Sequence, residues 1–541
     1  MNDCSAMWRV LTLLAVFGIS ACGGDDPPLL QSNNSESDSG TQTTGPDDGN
    51  TGITNNVVFP GEDMGPQEEM GECSPDQLDE PDPSFFDANC DGIDGDESQS
   101  VFVATYGDDA NPGTKSLPKA SVGAAIEEAA ATGKTWVLVE ESLYDGGFEL
   151  VDGVNLAGGY GFGWRRDGRA KTTIRGGNPS IRATNISSRT LVMDLTVEGG
   201  TGEPGQTAVG ILVEGSTGLI LQNLRVTGGR GGDGASGDTG ATGTTGNRGS
   251  NGENAPPDSG TLGFCKNQDA SDAPSVGPGA EPACGSDVGR GGAGGRSGKG
   301  SSSGQSGQRA PDSGGEGGNG GGQSTAGFKG QDGPSGSSGA PGAGGGSGGQ
   351  FNGWQWLGES GQPGEAGAPG KGGGGGGGGG GGSEAIGCDS WGGAGGGGGS
   401  GGCGGAGGEG GGHGGASVAV MLLESDITIR NCQIYGGAGG AGGSGGGGGQ
   451  GGTGGDGGSG GNKEENSGNG GAGGRGGTGG RGGEGGGGAG GPSIGLFSNR
   501  ALSVQPINTM VTQGEAGVGG SAASADGRGA DGFAESVRIA Q

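Results

Sequence analysis

TLVMDLTVEGG at residues 190–200, LILQNLRVTGG at 219–229 and ITIRNCQIYGG at 427–437 superimpose without a gap. Each alternates apolar and polar positions at period two, the mark of a strand with one face buried. Leu219, Leu221, Leu224 and Val226 in the second copy match Ile427, Ile429, Cys432 and Ile434 in the third, and these are expected to point inward. Between the apolar pairs stands Asp194, Asn223 or Asn431, a short polar residue that marks a bend. Short strands that repeat with bends and no intervening helices stack turn upon turn. The expected fold is therefore all-β, a parallel β-solenoid filled by the alternating apolar residues. Cys432, in the place of Leu224, reads as a buried and inert thiol.

A second strand precedes some of these units: AVGILV from Ala208, SVAVML from Ser417 and SIGLFS from Ser493. The last leads into LSVQPINTMVTQG from Leu502, a looser copy in which Asn508 and Val511 match Asn223 and Val226, and Pro506 suggests a bulge or an edge. Stacking would place Asp194, Asn223, Asn431 and Asn508 in one ladder. Independent turns are the alternative.

The N-terminal part fits the same plan. VFVATYGDDANPGT from Val101, KASVGAAIEEAAATGK from Lys119 and TWVLVEESLYDGGFELVDGVNLAGGY from Thr135 resemble the opening turn of the DUF1565 family, over roughly residues 101–177. That family is found at the start of right-handed β-helix proteins. The resemblance implies a pectate-lyase-like solenoid in which Val101, Val103, Val137 and Val139 supply the first strands. A helix after Ser121 would cap the open end, hiding backbone groups that otherwise invite aggregation.

Glycine supplies 156 of 541 residues and aromatics 4%, so most of the chain cannot form a side-chain core. The glycine-rich inserts leave after the Gly-Gly pairs at Gly199, Gly228 and Gly436, and after Gln513, which puts them on one edge of the stack. Within them glycine recurs every third residue, as in GASGDTGATGTTGNRGSNGEN from Gly234 and GESGQPGEAGAPG from Gly358. Sparse proline and frequent Gly-Gly-X triplets weaken a collagen trimer. Two glycines in three suit polyglycine II, extended threefold strands packed by backbone hydrogen bonds. On that reading the inserts resemble the bundles of springtail antifreeze proteins and phage tail-fibre tips. A flexible coil is the plain alternative.

Residues 1–21, ending ISA before Cys22, have Arg9 ahead of an apolar run too short to span a bilayer. The stretch resembles the lipobox of bacterial lipoproteins, implying cleavage before Cys22 and lipidation of that residue. Gly23, rather than Asp, implies sorting to the outer membrane. Residues 22–72 are acidic and poor in large apolar groups, and read as a disordered tether. The formal net charge of -33, without a basic patch, argues against nucleic acid. Membrane attachment through the lipid leaves a polysaccharide or a neighbouring cell-surface component as the expected partner.

The remaining cysteines form local couples, Cys73 with Cys90, Cys265 with Cys284, and Cys388 with Cys403, as suits an oxidising compartment. Asp87, Asn89, Asp91 and Gly92 open a D-x-N-x-D-G run, with Asp94 and Asp96 adding hard oxygen ligands, so Ca2+ is the candidate cofactor. Ser98 stands where a bidentate Glu is wanted, and a turn held by Cys73–Cys90 is the competing reading. The segment also resembles the Asn-Cys-Asp-Gly-Ile-Asp modules that precede β-helices in some bacterial surface proteins. Trp354 and Trp356, with Trp391, form an aromatic island that either stacks on sugar or covers a coreless face, and cover is favoured. His413 is the sole histidine, which excludes His-based triads and multi-histidine metal sites. Arg165, Arg166, Asp167 and Arg169 read as a charged turn.

The chain is thus divided into a signal peptide at 1–21, the tether at 22–72, an Asp-rich segment at 73–100 and first β-helix turns at 101–227. A glycine insert at 228–415, a rung at 416–435, a second insert at 436–491 and final rungs at 492–541 follow. No catalytic residue is assigned. The expected function is a non-catalytic, surface-displayed structural or adhesive lipoprotein. The alternative is a β-helix polysaccharide lyase or hydrolase.

Overall fold

A computed structural model describes residues 57–58, 72–257, 268–285, 288–383, 388–503 and 505–540. The signal segment, Cys22 and nearly all of the expected tether lie outside the described residues. Outside the glycine-rich stretches the described part is mostly strand, with one α-helix, and apart from two short hairpins its strands gather in one seven-stranded and two six-stranded sheets.

The chain visits the three sheets in a fixed cyclic order. Trp136–Glu140, Ser142–Asp145 and Phe148–Leu150 enter the first, second and third sheet in turn, and Asn155–Tyr160, Thr172–Arg175 and Ile181–Thr184 repeat the circuit. Thr190–Met193, Leu195–Glu198 and Ala208–Glu214 follow, then Leu219–Gln222, Arg225–Thr227 and Ser417–Leu423. Thr428–Arg430, Gln433–Tyr435 and Ser493–Ser498 make the next circuit, and each strand runs parallel to the one before it in its own sheet.

The register is the one the repeats predict. Val192, Leu221 and Ile429 are successive partners in the first sheet, and Val197, Val226 and Ile434 in the second. Leu224 and Cys432 belong to the same interior cluster, which runs unbroken from Val101 to Val511. A one-residue slip would turn every such side chain outward, so burial itself fixes the pairing. The bends behave alike: Asp194, Asn223, Asn431 and Asn508 all have positive φ, and Asn508 Nδ2 donates to Asn431 Oδ1 at 2.9 Å.

The first circuit is closed by the helix Val122–Thr132. Ser121 Oγ accepts from the Ala124 amide, Gly133 ends the helix at φ 72°, and Val122, Ala125, Ile126 and Ala129 join the interior. At the opposite edge of the second sheet, Val57–Val58 pairs antiparallel with Met510 and Val511. This corrects the reading of 22–72 as tether throughout. An edge strand presents open backbone groups, and even two residues with β propensity suffice to occupy some of them.

Two of the outer faces are also covered. Ile93, from the Asp-rich segment, packs with Phe102, Leu138, Tyr160 and Met193 on the outside of the first sheet. On the third sheet the outward Val209, Met421, Ile494 and Phe497 lie beneath the hairpin Gly349–Asn352 and Gln355–Gly358, which carries Trp356 at 3% exposure.

Cys432 is 2% exposed, and burial pushes its thiol up to about 11. A thiol so placed is inert. Iodoacetamide at neutral pH should leave Cys432 unmodified in the folded protein and alkylate it in denaturant, as mass spectrometry of the peptide will show.

Candidate functional site

The glycine inserts leave the end of the second sheet and return at the start of the third. Gly199, Gly228 and Gly436 donate to Thr227, Tyr435 and Thr512 respectively, so the three departure points are stacked on one edge. The register of the sheets continues into the inserts. Arg225 pairs with Gln433, and the same spacing of 208 residues joins Ser236 to Ser444 and Thr245 to Thr453 far beyond the last coil strand.

Residues 393–415 form the hub of the resulting bundle. Gly399, Gly402 and Gly405 donate to Gly474, Gly477 and Gly480; Ser400, Cys403 and Ala406 donate to Asn247, Thr244 and Ala241; Gly395, Gly398 and Gly401 donate to Gly295, Gly292 and Gly289. Three successive residues thus reach three different strands, which is threefold symmetry along the chain. Three further segments donate to it, through Gly449 to Ala406, Gly367 to Gly405 and Ala280 to Gly398. Most backbone amides of the hub thus find a carbonyl without a side-chain core.

Glycine density follows the number of neighbours. In residues 372–382, all glycine, Gly375, Gly376 and Gly377 donate to three different strands, and a Cβ on them would stand 1.9, 2.0 and 2.0 Å from the carbonyl oxygens of Ala293, Gly471 and Asn319. None of the three has positive φ, so space rather than backbone freedom demands glycine there. Residues 231–255 lie at the surface, and only every third residue is glycine. Between these extremes the Gly-Gly-X runs have one open direction.

The X positions of the outermost strands build a regular face. Thr245 and Thr453 touch through their hydroxyls at 3.3 Å, and Thr478 donates to Ser335 at 2.8 Å. Gly476 and Gly479 donate to Gly455 and Gly452, which sets Thr453 opposite Thr478 and completes a row of four hydroxyls. The adjacent row contains Asp456 and Arg475 at 2.9 Å, with the Arg475 amide donating to Asp332.

The disulfides differ in part from the expected couples. Cys73–Cys90 is formed, with Cα atoms 5.4 Å apart. Cys284 pairs with Cys403 rather than with Cys265, and Cys388 is bonded elsewhere than to Cys403; Cys265 lies outside the described residues. The bundle register explains this: Gly277 and Ala280 donate to Gly395 and Gly398, and extending that parallel pairing brings Cys284 beside Cys403. Sequence locality is a poor guide where strands fold back over many residues.

The aspartates proposed as calcium ligands do not converge, and no group of three or more His, Cys, Asp or Glu among the described residues is arranged to hold a metal ion. Asp87 accepts from the amides of Asp91 and Gly92, Asn89 from that of Asp91, Asp91 from those of Ile93 and Glu97, and Asp96 from those of Ser98 and Gln99. Asp94 is ion-paired with Arg166, which also pairs with Asp194. The charge balancing these buried carboxylates is a guanidinium from the stretch read as a surface turn. Arg166 further lies 5.0 Å from the Phe85 ring and 5.4 Å from that of Tyr160, pinning residues 79–96 to the coil. Nothing in the sequence singles out Arg166 from Arg165 and Arg169 for such a role; only the fold brings it to Asp94.

The aromatic island is a cover. Trp356 packs edge-on against Phe351 at 5.2 Å and Phe533 at 5.6 Å, and Trp354 lies partly buried in the same cluster. Trp391 is not part of it and sits instead 6.0 Å from Lys299 Nζ. His413 is half-buried and adjoins Gly358 of the covering hairpin.

No family model, curated protein or solved structure matches the chain.

Replacing Arg166 with Met leaves two carboxylates without their cation and should cost about 3–5 kcal/mol in denaturant unfolding. Burial raises the Asp94 carboxyl from 3.8 to about 7, against the pull of Arg166. The folded state therefore binds a proton that the unfolded chain has released, and this contribution to stability is lost as pH rises from about 4 to 7. Asp94→Asn should flatten the dependence between pH 5 and 8 relative to wild type. In the bundle, Gly376→Ala should cost at least about 1–3 kcal/mol and abolish amide protection in residues 372–382. Gly447→Ala, where the nearest atom to a new Cβ is 3.7 Å away, should leave protection unchanged.

Proposed function

We propose that this chain is a non-catalytic, surface-displayed lipoprotein, a right-handed parallel β-helix serving as rigid platform for a polyglycine II bundle that makes adhesive contact. The cyclic order of strands supports the β-helix, and the threefold sharing of hydrogen bonds by residues 393–415 supports polyglycine II. That sharing is the observation that carries the reading. A backbone lattice without side-chain rotamers cannot readily deform, so it presents outward residues at fixed intervals. An extended threefold strand rises about 9 Å per three residues, and at that interval the row of Thr245, Thr453, Thr478 and Ser335 is followed by the row of Asp456, Arg475 and Asp332. Such spacing suits a repeating polymer surface, and the partner is an extracellular polysaccharide or the polysaccharide coat of a neighbouring cell. The lipobox at Cys22 supports anchorage in the outer membrane.

Two measurements test this. Cys22→Ala should move the protein from the membrane to the soluble fraction of cells. Purified protein should be retained on insoluble polysaccharide without generating new reducing ends or unsaturated products, and Thr245→Glu with Thr453→Glu should reduce retention at least fivefold. Product formation, or retention indifferent to the face, would overturn the adhesive reading.

A further inference from the structure

The second sheet has an outward column that is polar through four successive circuits, between Leu143 at one end and Met510 at the other. Thr173, Thr196, Arg225 and Gln433 are successive partners on it, one from each of four circuits. With strands about 4.8 Å apart this column spans roughly 14 Å. Between it and the bends at Asp194, Asn223 and Asn431 runs a groove of about 530 Å³, within the size range of sites that hold small organic ligands. Phe85 of the covering segment walls one end.

The charge in this groove opposes that of the molecule. The chain carries a formal net charge of -33, yet the groove is lined by Arg166, Lys171 and Arg225 and by a single carboxylate, Asp194. Asp194 is already held by Arg166 and by the Asn223 side chain. Lys171 and Arg225 are exposed, and neither is ion-paired with a described carboxylate, whereas the next arginine along the second sheet, Arg175, is matched by Glu198. Arg225 is also oriented: its guanidinium lies 4.5 Å from the Tyr435 ring centre and donates to Gln433 Oε1 at 3.2 Å. One of five donors is used, and the rest remain for a ligand. Asn431 Oδ1 is occupied by Asn508, which leaves its amide hydrogens to donate outward.

We propose that this groove binds a linear anionic polysaccharide, with Lys171 and Arg225 pairing its carboxylate or sulfate groups and Thr173, Thr196, Asn431 and Gln433 bonding its hydroxyls. A small anion would need one cation. Two cations set on different circuits, with neutral donors between and beyond them, match charges distributed along a chain. The site is separate from the hydroxyl face of the glycine bundle and does not depend on adhesion there.

The test is titration of the full chain with polygalacturonate, dextran sulfate, neutral dextran and monomeric galacturonate at low and at physiological salt. At least one anionic polymer should bind, at least tenfold tighter than dextran or the monomer, and weaken as salt rises. Lys171→Ala with Arg225→Ala should lower that affinity at least tenfold with an unchanged melting temperature, since both residues are exposed. The tighter of the two anions identifies the group recognised. Thr245→Glu with Thr453→Glu should leave this binding intact, separating the groove from the bundle face. Equal affinity for dextran or the monomer, full affinity in the double Ala variant, or no binding of either anion would overturn the proposal.

Discussion

In the all-glycine run 372–382, neighbouring strands at hydrogen-bonding distance leave a Cβ no place to stand, and the bundle is built on that exclusion. At Gly374 to Gly377 the obstacle is in each case a carbonyl oxygen of a neighbouring strand, about as rigid a neighbour as a protein offers. Close approach then permits most N–H groups to find a carbonyl, which replaces the burial of side chains as the source of cohesion. Each such bond contributes only about 1 kcal/mol net, so cohesion comes from their number and from the absence of side-chain entropy to lose. The glycine content is therefore a measure of enclosure: complete at residues 372–382, two in three at 393–415, and one in three along the exposed 231–255.

Glycine also has the largest conformational entropy to lose on ordering, and an isolated strand of this composition would be a coil. The coil of sheets removes that difficulty. Strands 231–255 and 436–462 depart from adjacent circuits already paired, and the spacing of 208 residues at Arg225 and Gln433 is kept at Thr245 and Thr453. Strands returning to the third sheet do likewise: Ser417 pairs with Ser493, and Gly402 donates to Gly477 in the matching register. Interior apolar residues thus set the alignment of segments that contain none. The dependence runs in one direction, because the cluster from Val101 to Val511 holds together through its own side chains.

That asymmetry decides what could be read in the sequence. The circuits were legible because Leu221, Ile429, Val226 and Ile434 repeat at strand period, and the bends because Asn223 and Asn431 recur between them. The capping helix was legible from the helix-like run after Ser121. The period of the inserts was visible, but whether they order depends on neighbours hundreds of residues away, and triplets cannot express that. The same limit explains the exchanged cysteine partners, since Cys403 meets Cys284 through a register set by glycines. Asp94 looked like a metal ligand because hard oxygens close in sequence suit calcium, whereas its cation arrives from Arg166. Trp356 could be read as cover because little else in its surroundings can exclude water, but the sheet beneath it could not be named.

The covers have a consequence for where ligands can be met. Ile93 and its neighbours hide the first sheet, and the Trp356 hairpin hides the third, each over an apolar outer face that water would otherwise wet. The second sheet has less need of a cover, because between Leu143 and Met510 its outward column is Thr173, Thr196, Arg225 and Gln433. Its strands are also those that run on into the inserts, so the polar column and the hydroxyl rows of the bundle lie on one continuous set of strands. A fold that buries two faces to gain stability leaves the third free to carry charge, and there, among the described residues, Lys171 and Arg225 stand without a carboxylate partner.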